Sequence, residues 1–238
     1  RSGHSFPTRR SSDLLKTNGY TYVMNESKYF NNGVGVIVNT VKTVDETPLE
    51  PSFHSLKLID QMYTDNAVHD NLLTYLKTVF SEVEVFAAMQ NYFITGINNP
   101  WDNGTVFWQI DNKNKIHGAK IMLYDSSTGK RVKKPYNHIT WLHKALKTPD
   151  FNLQQCLFGL HRINEDYLKS IAIVESEKTA IIMSILIPDV IWLASGSKQN
   201  LKVKLIQPLS GRKIVLYPDK GEYNDWLRKA NKIKEFGY

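Results

Sequence analysis

The chain has 238 residues, 42% of them hydrophobic and 22% charged, an ordinary composition for a soluble protein with one large domain or two small ones. Its single cysteine, Cys156 in the apolar setting QQCLFG, excludes a disulfide framework within the chain and any multi-cysteine zinc site, and fits a reducing cytoplasm. The net charge of +7 points to a polyanionic partner, although basic solvated faces are common.

In chain order, His4–Leu14 reads HSFPTRRSSDL, the in-frame translation of a widely used sequencing-adaptor oligonucleotide, so residues 1–14 are set apart from the fold. Arg1, Arg9, Arg10 and Asp13 carry +2 of the net charge and leave +5 to the rest. The natural N-terminus is therefore expected to be missing. Residues 15–66 are polar and irregular, with a strand expected in GVGVIV and turn signals at Asn31–Gly33 and Pro48–Pro51. From Asp70 to Tyr92 the apolar residues Leu72, Leu73, Leu76, Val79 and Phe80, then Val83, Val85, Phe86 and Met89, predict two short core-facing helices. GTVFWQID (Gly104–Asp111) and IHGAKIMLYD (Ile116–Asp125) read as strands around the polar turn NKNK. SSTGKRVKK makes a tight basic turn, followed by PYNHITWLHKAL and CLFGLHRI.

From Ser170 the pattern becomes alternation. Strand IAIVE leads to helix EKTAIIMSIL, strand VIWLA to loop SGSKQN, and strand KIVLYPD to helix EYNDWLRKANKIKEF. Short apolar strands alternating with helices imply a parallel sheet. The chain stops in or just after that helix with no closing strand, so the C-terminus is expected to be cut as well. The most apolar window, Ala180–Ala194, is broken by Pro188-Asp189, so no membrane helix is expected; no apolar signal segment opens the chain, and no internal repeat or low-complexity tract occurs.

Two of these strands end in an acid, Glu175 and Asp219. Parallel strands in register would put both on one edge of the sheet, where two carboxylates can hold a hard cation. The alternative for each is an ordinary solvated turn. Glu177 reads as an exposed acid of a helix first turn. The run Lys130, Arg131, Val132, Lys133, Lys134, with Tyr136, His138, Trp141 and His143 after it, reads either as a nucleic-acid contact or as a solvated turn with Trp141 in the core. Lys178 and Lys198 could contact phosphate or simply be solvated, and the loop Ser195–Lys198 is a weak phosphate cradle against a plain turn. His143 and His161 read as packed polar groups, and no His/Cys spacing supports zinc.

Taken together, VESEKTA, the ASGSKQN loop and VLYPDKGEYNDW resemble a Toprim domain, the acid-bearing α/β module of bacterial-type primases, topoisomerases and some nucleases. GTVFWQIDNKNKIHGAKIMLYD and CLFGLHRI resemble the segments that precede that module in the primase catalytic core. TGKR and ITWLHK add a resemblance to an uncharacterised Toprim-like group of bacterial mobile elements and phages, whose members often carry an N-terminal zinc-binding segment that this sequence does not show. The resemblance implies an α/β fold: a Toprim-like parallel sheet flanked by helices over 168–238, preceded by a small α+β basic subdomain over 67–167. It implies magnesium, or manganese, held by Glu175, Asp219 and Glu222, with Glu175 and Asp219 catalytic. Lys130, Arg131, Lys133, Lys134, Lys178 and Lys198 would hold nucleic acid. Single-stranded DNA or a primer-template, nucleoside triphosphates and a helicase are the implied partners, and primer synthesis by nucleotidyl transfer the implied activity. The family's Asp-x-Asp is Asp219-Lys220-Gly221 here, which keeps two alternatives open: a catalytically degenerate DNA-binding accessory protein of replication or mobilisation, and a Toprim nuclease.

Overall fold

The computed structural model describes residues 49–66 and 70–237; the adaptor-like segment and the strand expected in GVGVIV lie outside the described residues. The chain divides after Leu49, and Glu50–Tyr238 form one compact unit.

The unit opens on a helix, α1 (Lys57–Asn66), where the sequence reads as irregular chain. The stretch is mostly polar and helical pattern is weak. It folds because Ile59 and Met62, one turn apart, bury against Ile97, Val106 and Trp108 of the sheet beside it. The two expected helices follow as α2 (Asn71–Leu76) and α3 (Glu82–Tyr92), but Val79 and Phe80 lie beyond α2, and Val79, Val83 and Phe86 are exposed rather than core-facing. Asp70 caps α2 by accepting from the amides of Leu72 and Leu73 at 2.7 and 3.1 Å. Ser81 and Glu84 form a reciprocal capping box on α3, which stops at Phe93 in the left-handed region.

The expected strand pair becomes the middle of a four-stranded antiparallel sheet ordered β1-β2-β3-β4. Its strands are β1 (Thr95–Ile97), β2 (Gly104–Ile110), β3 (Ile116–Met122) and β4 (Ile139–Trp141). Both edge strands are three residues long, too short to show a two-residue period. A single turn, α4 (Leu142–Ala145), closes this half, and a 3₁₀ turn over Leu160–Asn164 leads into the second.

That second half is the expected parallel sheet flanked by helices. Strands β5 (Ile171–Val174), β6 (Ile191–Ala194) and β7 (Ile214–Leu216) lie in the order β6-β5-β7, with Ile173 paired to Leu193 on one side and Leu216 on the other. Helices α5 (Glu177–Leu186), α6 (Val203–Ile206) and α7 (Tyr223–Glu235) accompany it. β5 and β6 are buried on both faces, which is why their sequences are unbroken apolar runs rather than alternating ones.

One core joins the two sheets. Leu72, Leu76, Val85, Met89 and Tyr92 of α2 and α3 pack on Phe107 and Met122 of the antiparallel sheet and on Ala172, Val174, Ile181 and Trp192 of the parallel half. The Tyr92 hydroxyl donates to the Trp192 carbonyl at 2.7 Å across that junction. A second cluster, with Leu160, Ile173, Leu193, Leu209 and Trp226, fills the opposite face of the parallel sheet. The carboxyl ends of β5 and β7 and the basic turn after β3 therefore face each other over a buried junction.

Candidate functional site

The site is a cleft of about 420 Å³ lined by Glu175, Asp219, Lys130, Arg131, Lys133 and Lys178, with Met122, Tyr124, Ser176, Glu177 and Gly196 completing the wall. One side is acidic and the other basic. The acidic side follows from topology. β5 and β7 are parallel neighbours, and both run out toward the cleft. Glu175 is the residue immediately after β5; Asp219 follows β7 after Tyr217 and Pro218. Burial pushes the Glu175 carboxyl above the usual carboxylate range, and the neighbouring Asp219 and Glu222 charges push it further. The amide of Lys198 partly offsets this by donating to the Glu175 carboxylate.

The basic side is the turn after β3. Asp125 ties it by accepting from the amides and hydroxyls of Ser127 and Thr128, which holds its own carboxyl down at about 2. Gly129 sits at φ +62, and a Cβ there would fall 2.3 Å from the Tyr75 ring, so the close approach of this turn to α2 requires glycine. Lys178, on the first turn of α5, donates to the Gly129 carbonyl at 2.9 Å and so anchors the turn to the parallel half. Burial lowers the Lys178 ammonium from its usual value, and the nearby Arg131 guanidinium lowers it further. Each wall thus crowds like charges together.

Of the residues singled out from sequence, Glu175, Asp219, Lys130, Arg131, Lys133 and Lys178 come together in this cleft; Lys134, Lys198 and Glu222 are not among its lining. Lys198 pairs with Glu222 at 3.1 Å instead. The first two amides of the Ser195–Lys198 loop are committed inward. Ser195 donates to the Val174 carbonyl at 3.0 Å and Gly196 to the Glu175 carbonyl at 2.9 Å, so the loop is a turn that braces Glu175 rather than an open phosphate cradle. His143 is buried and stacks on Phe151, and His161 donates from Nε2 to the Asn91 carbonyl at 3.0 Å, as packed polar groups. Trp141 is half-buried beside Lys120.

The expectation for Glu177 is overturned. Glu177 is not an exposed first-turn acid: it is 2% exposed, and its Oε1 accepts from Lys120 Nζ at 2.5 Å. Lys120 is 6% exposed and also donates to the Gly196 carbonyl at 2.9 Å. A first-turn acid looks the same in sequence whether it faces water or a buried partner. The available signal was the partner, a lysine inside the apolar strand IHGAKIM, which can be buried only if something pairs it.

Magnesium or manganese suits the donor chemistry of Glu175 and Asp219, since both are oxygen ligands and their mutual repulsion would be relieved by a cation. Among the described residues no group of three or more His, Cys, Asp or Glu side chains is placed to hold a metal, so such an ion would keep water in its remaining positions. Gly221 stands at φ +92 with open space where a Cβ would be. Cys156 is buried, with its thiol pushed up by burial, and is not a ligand candidate. Among the described residues no helix is long and apolar enough to cross a membrane.

Comparison with known proteins gives one family match: the model described as "Domain of unknown function (DUF6371)" matches residues 70–220. No curated protein matches. A solved structure titled "Structure of the DnaG primase catalytic domain bound to ssDNA" aligns over 76% of this chain and 76% of that one, at 12% identity and a TM-score of 0.38.

Proposed function

The chain belongs to the family described as a domain of unknown function (DUF6371), and we propose that this member is a primase-like nucleic-acid enzyme, joining nucleotides on a single-stranded DNA template. The observation that carries the reading is the two-walled cleft. Glu175 and Asp219 leave adjacent parallel strands and meet Lys130, Arg131, Lys133 and Lys178 across it. A nucleotide phosphate lying between cations on one side and a carboxylate-held cation on the other would relieve the like-charge crowding of both walls at once. The Toprim-like residues around Glu175 and Asp219 support the same reading.

In this mechanism Glu175 and Asp219 would hold a magnesium or manganese ion, which neutralises phosphate oxygens when bound. Arg131, with its planar fork, would grip a phosphate through paired N–H donors, and Lys130 and Lys133 would neutralise the strand that follows. Lys178 would keep the basic turn at its distance from Glu175 through the Gly129 carbonyl. The 3′-hydroxyl would attack the α-phosphorus of an incoming nucleoside triphosphate and displace pyrophosphate, and the Glu175 oxygen not taken by the ion would accept the hydroxyl proton.

The test is synthesis of primers de novo on single-stranded template with magnesium or manganese, for the wild type and Glu175→Gln. Synthesis by the wild type that is lost in the variant supports the reading. Template cleavage without synthesis would replace it with a nuclease. Gly221 favours a second reading, in which the fold has given up catalysis and serves as a DNA-binding accessory of replication or mobilisation. That reading is supported if the wild type binds template but neither joins nor cuts it.

A further inference from the structure

We infer that Lys120 is a positioning residue for Glu175, acting as a buried three-way tie between the antiparallel sheet and the two chain segments that flank that carboxylate. Lys120 lies on β3, opposite Phe107 and Trp141, with its head against Glu177 and Gly196 of the cleft wall. Its ammonium donates to Glu177 Oε1 at 2.5 Å and to the Gly196 carbonyl at 2.9 Å. Glu177 is two residues beyond Glu175 and opens α5. Gly196 donates its own amide to the Glu175 carbonyl at 2.9 Å. Glu175 is thus braced from both sides, and both braces end on the same ammonium.

The backbone is shaped for this contact. Gly196 adopts φ +76, and a Cβ there would lie 2.9 Å from Lys120 Nζ and 3.0 Å from Glu177 Oε1. Only glycine lets the carbonyl and the ion pair approach each other. A buried ion pair is weak evidence for stability, because apolar replacements of similar volume are often as stable. A pair that only held the fold together would be replaceable in that way. One that fixes the position of a neighbouring carboxylate would not be.

The function of the tie rests on the reading of Glu175 as the reacting carboxylate, but its test uses neither turnover nor nucleic acid. Three forms are compared: wild type, Lys120→Met, and the double variant Lys120→Met with Glu177→Leu. Amide hydrogen exchange is followed at Gly196, with Ile191 of β6 as the internal control, and the backbone carbonyl shift of Glu175, which accepts from Gly196, is read by NMR. Lys120→Met leaves the Glu177 carboxylate buried and unpaired, so its Tm falls and Gly196 exchanges on the order of 10-fold faster or more. The double variant is expected to recover Tm, keep Ile191 protected and still exchange quickly at Gly196. In it the Glu175 carbonyl shift is expected to move as its hydrogen bond from the Gly196 amide loosens. Gly196→Ala, which crowds the same contact without removing a charge, is expected to give the same fast exchange. A double variant with Gly196 protection and a Glu175 carbonyl shift like the wild type would overturn the proposal. Failure of the wild type to make primers would instead sink the parent reading and leave these readouts standing.

Discussion

Asp70 offers a stability test whose size can be worked out from the structure. Its carboxyl is 2% exposed, caps α2 through the Leu72 and Leu73 amides, and accepts from the Thr105 hydroxyl at 2.8 Å, while Oδ2 has no partner. Burial raises its pKa from 3.8 to about 7 against the pull of those three hydrogen bonds. The folded state therefore holds a proton that the unfolded chain releases near the ordinary value. Below that value both states are protonated and the cap carries no penalty. As pH rises through the window up to the folded value of about 7, the fold loses stability, and above it the loss is constant. Between about pH 5 and about pH 8 the loss is roughly 3 kcal/mol. Asp70→Asn keeps an oxygen on the capping amides and removes the ionisation, though its amide N–H₂ takes over the partnerless position at about 1–3 kcal/mol. The stability difference between variant and wild type, from urea unfolding at each pH, should thus shift by roughly 3 kcal/mol in the variant's favour across that window. Taking the difference cancels the other titrating groups. A difference that stays flat with pH would refute the argument that Asp70 is buried with its proton.

Other outcomes follow from the same geometry. Burial lowers the titration of His54, with help from His143, and also that of His143 and His161, so each favours the neutral ring in the fold. Stability should fall as pH drops through the ordinary histidine value, about 6.5, and Asp70→Asn should leave that acid limb in place when unfolding is followed by circular dichroism. Gly221→Ala should cost about 1 kcal/mol or somewhat more from its φ of +92 alone, since nothing lies where the Cβ would go; thermal unfolding checks this, and Gly221→Asn should cost less. Arg131→Ala should weaken single-stranded DNA binding similarly for all sequences and reduce the slope of log affinity against log salt by about 1, measured by anisotropy at several salt concentrations.

The parallel half was legible because its strands are short apolar runs cut off by acids and glycine. A buried parallel strand shows that directly, so the register that brings Glu175 and Asp219 to one edge could be anticipated. The antiparallel half was legible only in its long middle strands. Thr95–Ile97 and Ile139–Trp141 are strands because β2 and β3 offer them open edges, a property of the partner and not of three residues. Lys57–Asn66 is a helix because Ile59 and Met62 find the sheet face around Trp108. Within the site, the basic run and the two carboxylates stood out by type and position. Lys120 and Glu177 did not, because each looks commonplace until the other is seen beside it.

The most direct measurement on the central claim is a manganese titration followed by electron paramagnetic resonance, on the wild type, Glu175→Gln and Asp219→Asn. If the two carboxylates jointly hold a divalent ion, the wild type binds manganese at one site and either substitution weakens it on the order of 10-fold or more. Manganese binding unchanged by both substitutions, or none in the wild type, would contradict the account.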